Sequence, residues 1–304
     1  MDRKYFTNIK VEILGADLVI ENADIAVEFT KTDEKKPNYC EITIFNLSDD
    51  TYNRINSKAN SARVYVDIDG LGYALVFAGN LRSLKKWKQA KATAKKKRKS
   101  KATKPATIHY NEQPIRREAS GADVATIICL EDGVVSTYFN NYINKSYENE
   151  VTNQYVLQDI LNTVRKQDTN LKVSAESNVL KPYTYPAGVV FHGTLKDVLR
   201  SICKTGDAYC TVQDDAIVIS STEQDKSNKA YVYILNGNNC PTPEQSTDKE
   251  LDIEAPFLPS LNPFNWLKLE FRDYNDYYQV KKIQSKIDNF GEDAESKITV
   301  KMDI

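Results

Sequence analysis

Apolar residues recur at every second position in the first part of the chain, and this spacing restricts what the chain can fold into. Ile9, Val11 and Ile13 begin the pattern, and positions 25–29 and 40–44 repeat it. Successive side chains of a β-strand point to opposite faces, so each set covers one side of a strand with apolar groups. Turn-forming and charged stretches separate the sets. The pattern predicts an antiparallel sheet that packs one face against a core.

The same alternation resumes after a short helix, and it also ends the chain. Ser48 is placed to accept the free amide hydrogens of a helix that carries Tyr52 and Ile55. Alternating segments follow at 64–79, and others lie between Leu267 and Met302. The sequence therefore predicts a mostly β protein.

The apolar spacing changes to three and four residues between about 149 and 222. Thr152 can cap one helix, and Thr194 can cap a second helix that ends at Gly206. A strand at 171–175 and a hairpin around 208–220 surround these helices. We predict a compact α/β unit inserted into the β protein.

Charge is distributed unevenly along the chain. The 304 residues contain 41 basic and 42 acidic side chains, but the segment from Lys85 to Lys104 has 11 basic and no acidic residues. The other 284 positions therefore carry 30 basic against 42 acidic residues. The basic segment has no apolar periodicity after Trp87, so it is predicted to be a long loop between two strands.

The basic segment supplies the candidate contact residues for a partner. They are Lys91, Lys95, Lys96, Lys97, Arg98, Lys99, Lys101 and Lys104. Three interpretations stay open: a solvated loop with no fixed partner, a contact with an acidic protein surface, and neutralisation of nucleic-acid phosphates. Only one aromatic residue lies in the segment, so the stacking that single-strand binders use is nearly absent.

Motifs for catalysis, cofactors or metals are missing from the sequence. Only two histidines occur, His109 and His192, and no HExxH, CxxC, GxSxG or P-loop spacing is present. Adjacent carboxylates such as Asp214 and Asp215 lie in predicted turns, where solvation accounts for them. We therefore expect no enzyme activity, no cofactor and no metal. A peptidoglycan-cleaving enzyme would need an acid/base carboxylate pair, which no motif marks.

Cysteines and hydropathy indicate the compartment. The five cysteines form no close pair and are expected to be buried free thiols: Cys40, Cys129, Cys203, Cys210 and Cys240. The first residues lack the apolar stretch of a signal peptide, and nowhere do about 18 apolar residues run together. We expect a protein made and kept in a cytoplasm, with no membrane contact.

The order of these parts resembles the phage baseplate hub proteins. The segment from Pro37 to Ser48, followed by a short helix and a hairpin that ends at Val76–Leu81, is similar to the opening barrel of that family. Three later segments fit the same order: Ala125–Gly133, Val190–Thr194 before the second helix, and Tyr277–Ile283. Asp276 stands where the family usually has glycine, and the basic segment stands where many hubs have a short turn.

The resemblance implies two tail-tube-like antiparallel β-barrel or sandwich domains with a small α/β domain. Residues 1–135, with a Lys-rich loop at 85–104, would form the first barrel, and residues 149–222 the inserted α/β domain. Residues 135–148 and 223–304 would form the second barrel.

The resemblance also implies a structural function. The family's hub is a homotrimer whose six similar barrels form a ring that joins the tail tube to the central spike and lets genomic DNA pass without specific binding. The implied partners are the central spike protein, the tail tube or tube-initiator protein, the C-terminus of the tape-measure protein and other baseplate proteins. The implied location is the virion tail baseplate, assembled in the host cytoplasm.

Two alternatives remain at the level of sequence. One is a nucleic-acid-binding β-barrel protein that uses the cluster from Lys95 to Lys99. The other is the equivalent hub of a phage-derived secretion or bacteriocin particle, whose sequence would show the same order of parts. The chain outside the basic segment has more acidic than basic residues. Such an acidic excess suits a DNA channel, because like charge repels phosphate.

Overall fold

The computed structural model describes residues 7–33, 37–88, 124–132, 141–167, 172–175, 179–214, 216–221, 233–291 and 294–302. These residues form 20 strands and three helices, and most of the strands pair in antiparallel fashion. The predicted class, mostly β with an α/β insert, is confirmed. None of the described helices has the length and apolar character that crossing a bilayer requires.

The first β unit occupies the N-terminal part of the chain. Its elements are β1 (Thr7–Leu14), β2 (Leu18–Ile20), β3 (Ile25–Thr32), β4 (Tyr39–Phe45), α1 (Asp49–Lys58), β5 (Ser61–Ile68), β6 (Ala74–Lys88) and β7 (Val124–Glu131). The alternating residues of the sequence face inward, and Val11, Ile42 and Ile44 have no exposed surface. Ser48 caps α1, and its Oγ accepts the amide hydrogen of Thr51 at 3.1 Å.

The α/β unit follows, and two helices supply much of its core. Its elements are β8 (Tyr142–Tyr147), β9 (Val151–Thr152), α2 (Asn153–Gln167), β10 (Val173–Ala175), β11 (Thr184–Tyr185), β12 (Val189–Thr194), α3 (Leu195–Thr205), β13 (Ala208–Gln213) and β14 (Ala216–Ser221). Both expected caps form, because Thr152 Oγ1 accepts from the Tyr155 amide and Thr194 Oγ1 from the Asp197 amide, each at 3.3 Å.

Strand β8 differs from the sequence assignment. Residues 135–148 are assigned to the second barrel, but β8 pairs along its whole length with β12 of the α/β unit. Ile143 is 4% exposed and packs in the core of that unit. Ile143 is the only buried residue of β8, so alternation in the sequence carries little information about which core this strand joins.

The second β unit contains the C-terminal strands. These are β15 (Tyr233–Asn236), β16 (Glu244–Thr247), β17 (Glu250–Pro256), β18 (Trp266–Glu270), β19 (Tyr277–Asp288) and β20 (Ala294–Lys301). Its core includes Leu251, Leu267 and Ile298, each without exposed surface. Strand β16 shows no apolar alternation because all four of its residues are exposed.

The two β units are joined edge to edge into one sheet. Strand β19 pairs with β20 and β18 inside its own unit, and its residues 282–288 also pair with β3 of the first unit. The resulting sheet has 13 strands. Phe257 and Ile287, which belong to the second unit by chain position, lie in the core of the first. The β units therefore share a sheet and part of a core.

All five cysteines lie in described residues, and the structure agrees with the interpretation of their thiols. Each is free and buried. Burial raises the pKa of the Cys40 thiol well above its usual value, because the thiolate would lose its hydration inside the core. The Cys40 thiol is therefore a core group with little nucleophilic character.

Candidate functional surfaces

The join between β3 and β19 presents a row of charged side chains on the face opposite the cores. Glu28 of β3 is the register partner of Lys286 on β19 and of Glu41 on β4, and Lys286 is also the partner of Glu295 on β20. Residues in register across neighbouring strands point to the same face of a sheet. One strip of three acidic groups and one basic group therefore crosses four strands and both β units.

This charged strip lies in a cleft of about 790 Å³. The cleft is lined by five carboxylates and two ammonium groups, which are Glu28, Glu41, Glu254, Asp288, Glu295, Lys286 and Lys297. Lys297 is itself within 3.3 Å of Asp252. Carboxylates in excess on a concave surface concentrate negative potential there. The cleft therefore repels anions such as nucleic-acid phosphates and attracts cationic groups.

A tight turn between β19 and β20 fixes one end of the cleft. The Asp288 carboxylate is buried and accepts the amide hydrogens of Phe290 at 3.1 Å and Gly291 at 2.5 Å. The Asn289 side chain accepts from the Ile25 amide at 2.8 Å and donates to the Ala23 carbonyl at 2.7 Å. These bonds hold the turn of the second unit against the start of β3 in the first.

A buried lysine connects all three units at the other end of β3. Lys31 is 2% exposed, and its ammonium group donates to both carboxylate oxygens of Asp214 at 2.9 Å and to Asn262 Oδ1 at 2.7 Å. Asp214 lies in the turn between β13 and β14 of the α/β unit, and Asn262 lies between β17 and β18. A buried ammonium group is stable only when it is paired and hydrogen-bonded, and here each of the other two units supplies an acceptor.

Further contacts surround Lys31 and make this a three-unit junction. Asn38 Nδ2 donates to the Val212 carbonyl and to Gln213 Oε1, both at 3.1 Å. The rings of Tyr209 and Phe264 stack with centroids 4.2 Å apart. Phe264 has a φ of 72°, a left-handed conformation that is uncommon for a bulky residue. The tip of the β13–β14 hairpin is thus held between the two β units.

The junction corrects one interpretation made from the sequence. Asp214 was expected to be a solvated turn residue, but its side chain is only 18% exposed and pairs with Lys31. Asp215 lies outside the described residues. A signal for the junction is present in β3, because Lys31 continues the inward-facing series Ile25, Val27 and Phe29. A lysine in the apolar phase of a strand indicates a buried partner.

The predicted contact residues of the basic segment lie outside the described residues. They are Lys91, Lys95, Lys96, Lys97, Arg98, Lys99, Lys101 and Lys104. The described chain reaches Lys88 at the end of β6 and resumes at Val124 at the start of β7, and these two residues are register partners. The two described residues that flank positions 89–123 therefore lie side by side on neighbouring strands. Lys85 is exposed, and Lys86 pairs with Asp49 of α1.

Polar clusters in the α/β unit have structural partners. His192 is exposed on β12, and its Nε2 lies 2.6 Å from the hydroxyl of Tyr142 on β8. Asp159 on α2 accepts from Lys145 Nζ at 2.5 Å and from the Tyr147 hydroxyl at 2.8 Å. Both clusters tie β8 to its neighbours. His109 lies outside the described residues, and within them no group of three or more His, Cys, Asp or Glu side chains could hold a metal ion.

Comparison with known proteins gives matches to structures and none to sequences. No family model and no curated protein matches the chain. A tail protein from Neisseria meningitidis superimposes with a TM-score of 0.58 at 8% identity, covering 98% of this chain and 97% of that one. The 43 kDa tail protein of prophage MuSo2 from Shewanella oneidensis gives 0.55 at 12% identity, covering 96% of each chain.

A third structure comes from a secretion system. It is an E. coli component of the type VI secretion system that exhibits structural similarity to T4 bacteriophage tail proteins gp27 and gp5. Its TM-score is 0.50 at 10% identity, covering 96% of this chain and 76% of that one. Near-complete coverage means that the β units and the α/β unit occur in the same arrangement in these proteins. The chain therefore has the fold of phage tail proteins, as the order of its parts predicts.

Proposed function

We propose that this protein is a structural baseplate hub of a phage tail. The observation that carries the proposal is the edge-to-edge sheet formed by β3 and β19, which unites two β units in a fold shared along nearly its whole length with tail proteins. A chain with two similar β units presents six of them when three copies associate. Three-fold symmetry at a spike and six-fold symmetry at a tube can then meet in one protein.

In this proposal the acidic cleft faces the central channel of the trimer. Its five carboxylates against two ammonium groups would repel the phosphates of a passing genome, so the DNA would move without binding. A nucleic-acid-binding function would need an exposed cationic surface instead. The acidic cleft therefore favours the channel over the binding protein among the described surfaces.

The partners and location follow from the same proposal. The hub would contact the central spike, the tail tube or its initiator, the C-terminus of the tape-measure protein and other baseplate proteins. It would reside in the virion tail baseplate after assembly in the host cytoplasm, and it would have no catalytic role. The likeness to a type VI secretion component supports the same function in a phage-derived injection device.

The basic segment has a proposed place in this scheme. We expect residues 91–104 to contact an acidic surface of a neighbouring tail protein, because 11 basic residues without one acidic residue lie between Lys85 and Lys104. Lys88, which precedes this segment at the end of β6, and Val124, which begins β7, are register partners on neighbouring strands. Removing Gln89 to Ala102 should therefore leave the β units folded and impair assembly.

The experiment deletes the gene and restores it in trans. Particles from the deletion should lack complete tails, and the wild-type gene should restore infectious particles that contain this protein at three copies per tail. Normal tails without the protein would contradict the hub. The gene lacking Gln89 to Ala102 should fail to restore normal numbers of particles. Full restoration by that shortened gene would contradict only the role of the basic segment.

A further inference from the structure

Two cysteine side chains of the α/β unit are in contact inside its core. Cys203 lies on the last turn of α3 and Cys210 lies in β13, and the two residues are 1% and 3% exposed. A hydrogen bond joins their thiols. The sulfurs of a disulfide are about 2 Å apart, so two thiols already in hydrogen-bond contact need only a small further approach to form one.

The backbone between the two cysteines suits such a bond. Helix α3 ends at Thr205 and β13 begins at Ala208, so a short turn separates them. The Gly206 amide donates to the Cys203 carbonyl at 3.0 Å, and Asp207 has a left-handed φ of 48°. This turn returns the chain along the helix, and α3 packs against β13.

The other three cysteines are not placed to form a disulfide. Cys40 on β4 and Cys129 on β7 lie on neighbouring strands, but Cys129 is the register partner of Glu41, the residue after Cys40. Successive residues of a strand point to opposite faces, so these two thiols lie on opposite faces of the sheet. Cys240 lies in the core of the second β unit. The thiols on α3 and β13 are therefore the one pair in position, since all five cysteines belong to the described residues.

We propose that Cys203 and Cys210 form a disulfide when the protein passes from a reducing to an oxidising environment, and that this bond locks the α/β unit. The change of environment rests on the proposed function, because a finished particle leaves the reducing cytoplasm in which it is assembled. The oxidant is a small-molecule disulfide. One cysteine thiolate attacks it to form a mixed disulfide, and the second thiolate then displaces the remaining half. Two electrons pass to the oxidant, which leaves as two thiols that carry the protons of both cysteines.

The core position of the pair makes this reaction slow. The hydrogen bond with Cys210 and the burial of the site raise the pKa of the Cys203 thiol far above its usual value. The attacking thiolate therefore forms when the end of α3 opens from β13. Once the bond has formed, the same burial shields it from reductants.

The disulfide would act on two contacts that hold the α/β unit to the first β unit. Arg200 on α3 donates to the Asp33 carbonyl at 3.3 Å, and Asp214, directly after β13, pairs with Lys31. The bond ties α3 to β13, so it fixes the spacing between these two contact points.

Mass spectrometry of the purified full chain tests the bond. Reduced protein is incubated with oxidised glutathione, alkylated and digested with trypsin, which cuts after Lys204, between the two cysteines. We expect a linked pair of peptides that contain Cys203 and Cys210, and a reducing agent should separate them. In calorimetry the transition of the α/β unit should rise by at least about 5 °C on oxidation, because the bond restricts the unfolded chain.

Two serine variants provide matched controls. Cys129→Ser keeps the pair and should gain the same bond and the same shift, whereas Cys210→Ser should gain neither. Circular dichroism checks that both variants fold, and the wild-type digest tests the bond even if Cys210→Ser does not. Five alkylated cysteines in the oxidised wild type, or a bond between other cysteines, would overturn the disulfide. A bond without a rise in the melting temperature of the α/β unit would overturn the lock.

Released particles test the change of environment. Protein from released tails should carry the bond, and protein from the cytoplasm of producing cells should not. Reduced protein in released tails would overturn this part of the inference. Normal tails from cells that lack the gene would contradict the proposed function alone, because the bond is measured on the isolated chain.

Discussion

At the scale of single residues, Lys31 shows how one charged side chain can specify the arrangement of a whole chain. A buried ion pair adds little net stability, because desolvation of the two ions offsets their attraction. Removal of only one of the two partners is costly, however, because the remaining ion then stays buried without a partner. Lys31 therefore penalises arrangements in which the α/β hairpin does not reach the β units. Its role is specificity of the three-unit junction more than stability.

Truncation of one partner should show this asymmetry. Asp214→Ala leaves the Lys31 ammonium group buried without its carboxylate and should lower the free energy of unfolding by about 3 kcal/mol. Lys31→Met together with Asp214→Ala removes both charges and should recover most of that loss. Urea unfolding of the three chains measures the difference.

An exposed ion pair provides the control for the buried one. Lys181 and Asp207 are 3.1 Å apart with side chains 62% and 55% exposed. Lys181→Met should change the free energy of unfolding by less than about 1 kcal/mol. If the double variant at Lys31 and Asp214 is no more stable than Asp214→Ala alone, the buried charge is not the cause of the loss.

Asp159 should make the stability of the α/β unit depend on acid pH. Hydrogen bonds from Lys145 and then from Tyr147 hold the pKa of its carboxyl below the usual value. A carboxyl with a depressed folded-state pKa stabilises the fold above its unfolded pKa of about 4, and this contribution is lost as pH falls through the folded value. Asp159→Asn should therefore lower the melting temperature at pH 7 and have little effect near pH 2. An equal effect at both pH values would contradict the assignment.

At the scale of elements, the features that depend on residues close in sequence could be predicted. The features that depend on residues far apart in sequence could not. The caps at Ser48, Thr152 and Thr194 form as expected because a capping side chain and its amide are three residues apart. The residues of β1, β3 and β4 that face the core could also be predicted, because their alternation is likewise a local pattern. The β3–β19 pairing joins residues about 250 positions apart, and no local pattern specifies which two edges meet.

The candidate functional surfaces divide in the same way. The acidic excess of the body is visible in composition, but the cleft exists only because strands from both β units align Glu28, Lys286 and Glu295 in one row. The junction had a local signal in the inward phase of Lys31, whereas its partner Asp214 resembled any turn residue. Burial of a charge can thus be anticipated from one strand, although its partner cannot.

At the scale of the whole molecule, the cores predict two unfolding transitions. The β units share the 13-stranded sheet and part of a core, so they should unfold together, whereas the α/β unit has a core of its own. Leu161→Ala in the α/β core should lower one melting temperature by about 5 to 15 °C in calorimetry. Ile128→Ala in the first β unit and Leu267→Ala in the second should both lower the other.

These three variants serve as controls for one another, because each removes a comparable buried aliphatic side chain from a different core. Ile128 and Leu267 have no exposed surface and Leu161 is 1% exposed. Separate transitions for Ile128→Ala and Leu267→Ala would show that the shared sheet does not couple the β units. A single transition lowered by all three would show that the polar junction couples the α/β unit fully.

Ile287 and Phe257 also determine when the N-terminal part can finish folding during translation. Both fill the first core, and β19 covers the edge of β3, yet the ribosome makes them more than 200 residues after β3. The nascent N-terminal unit emerges with an uncovered strand edge and an incomplete core, and it stays in that state until β19 has been synthesised. Such an intermediate is open to aggregation and to chaperone binding. Native pairing of these strands is therefore a late event in the synthesis of the protein.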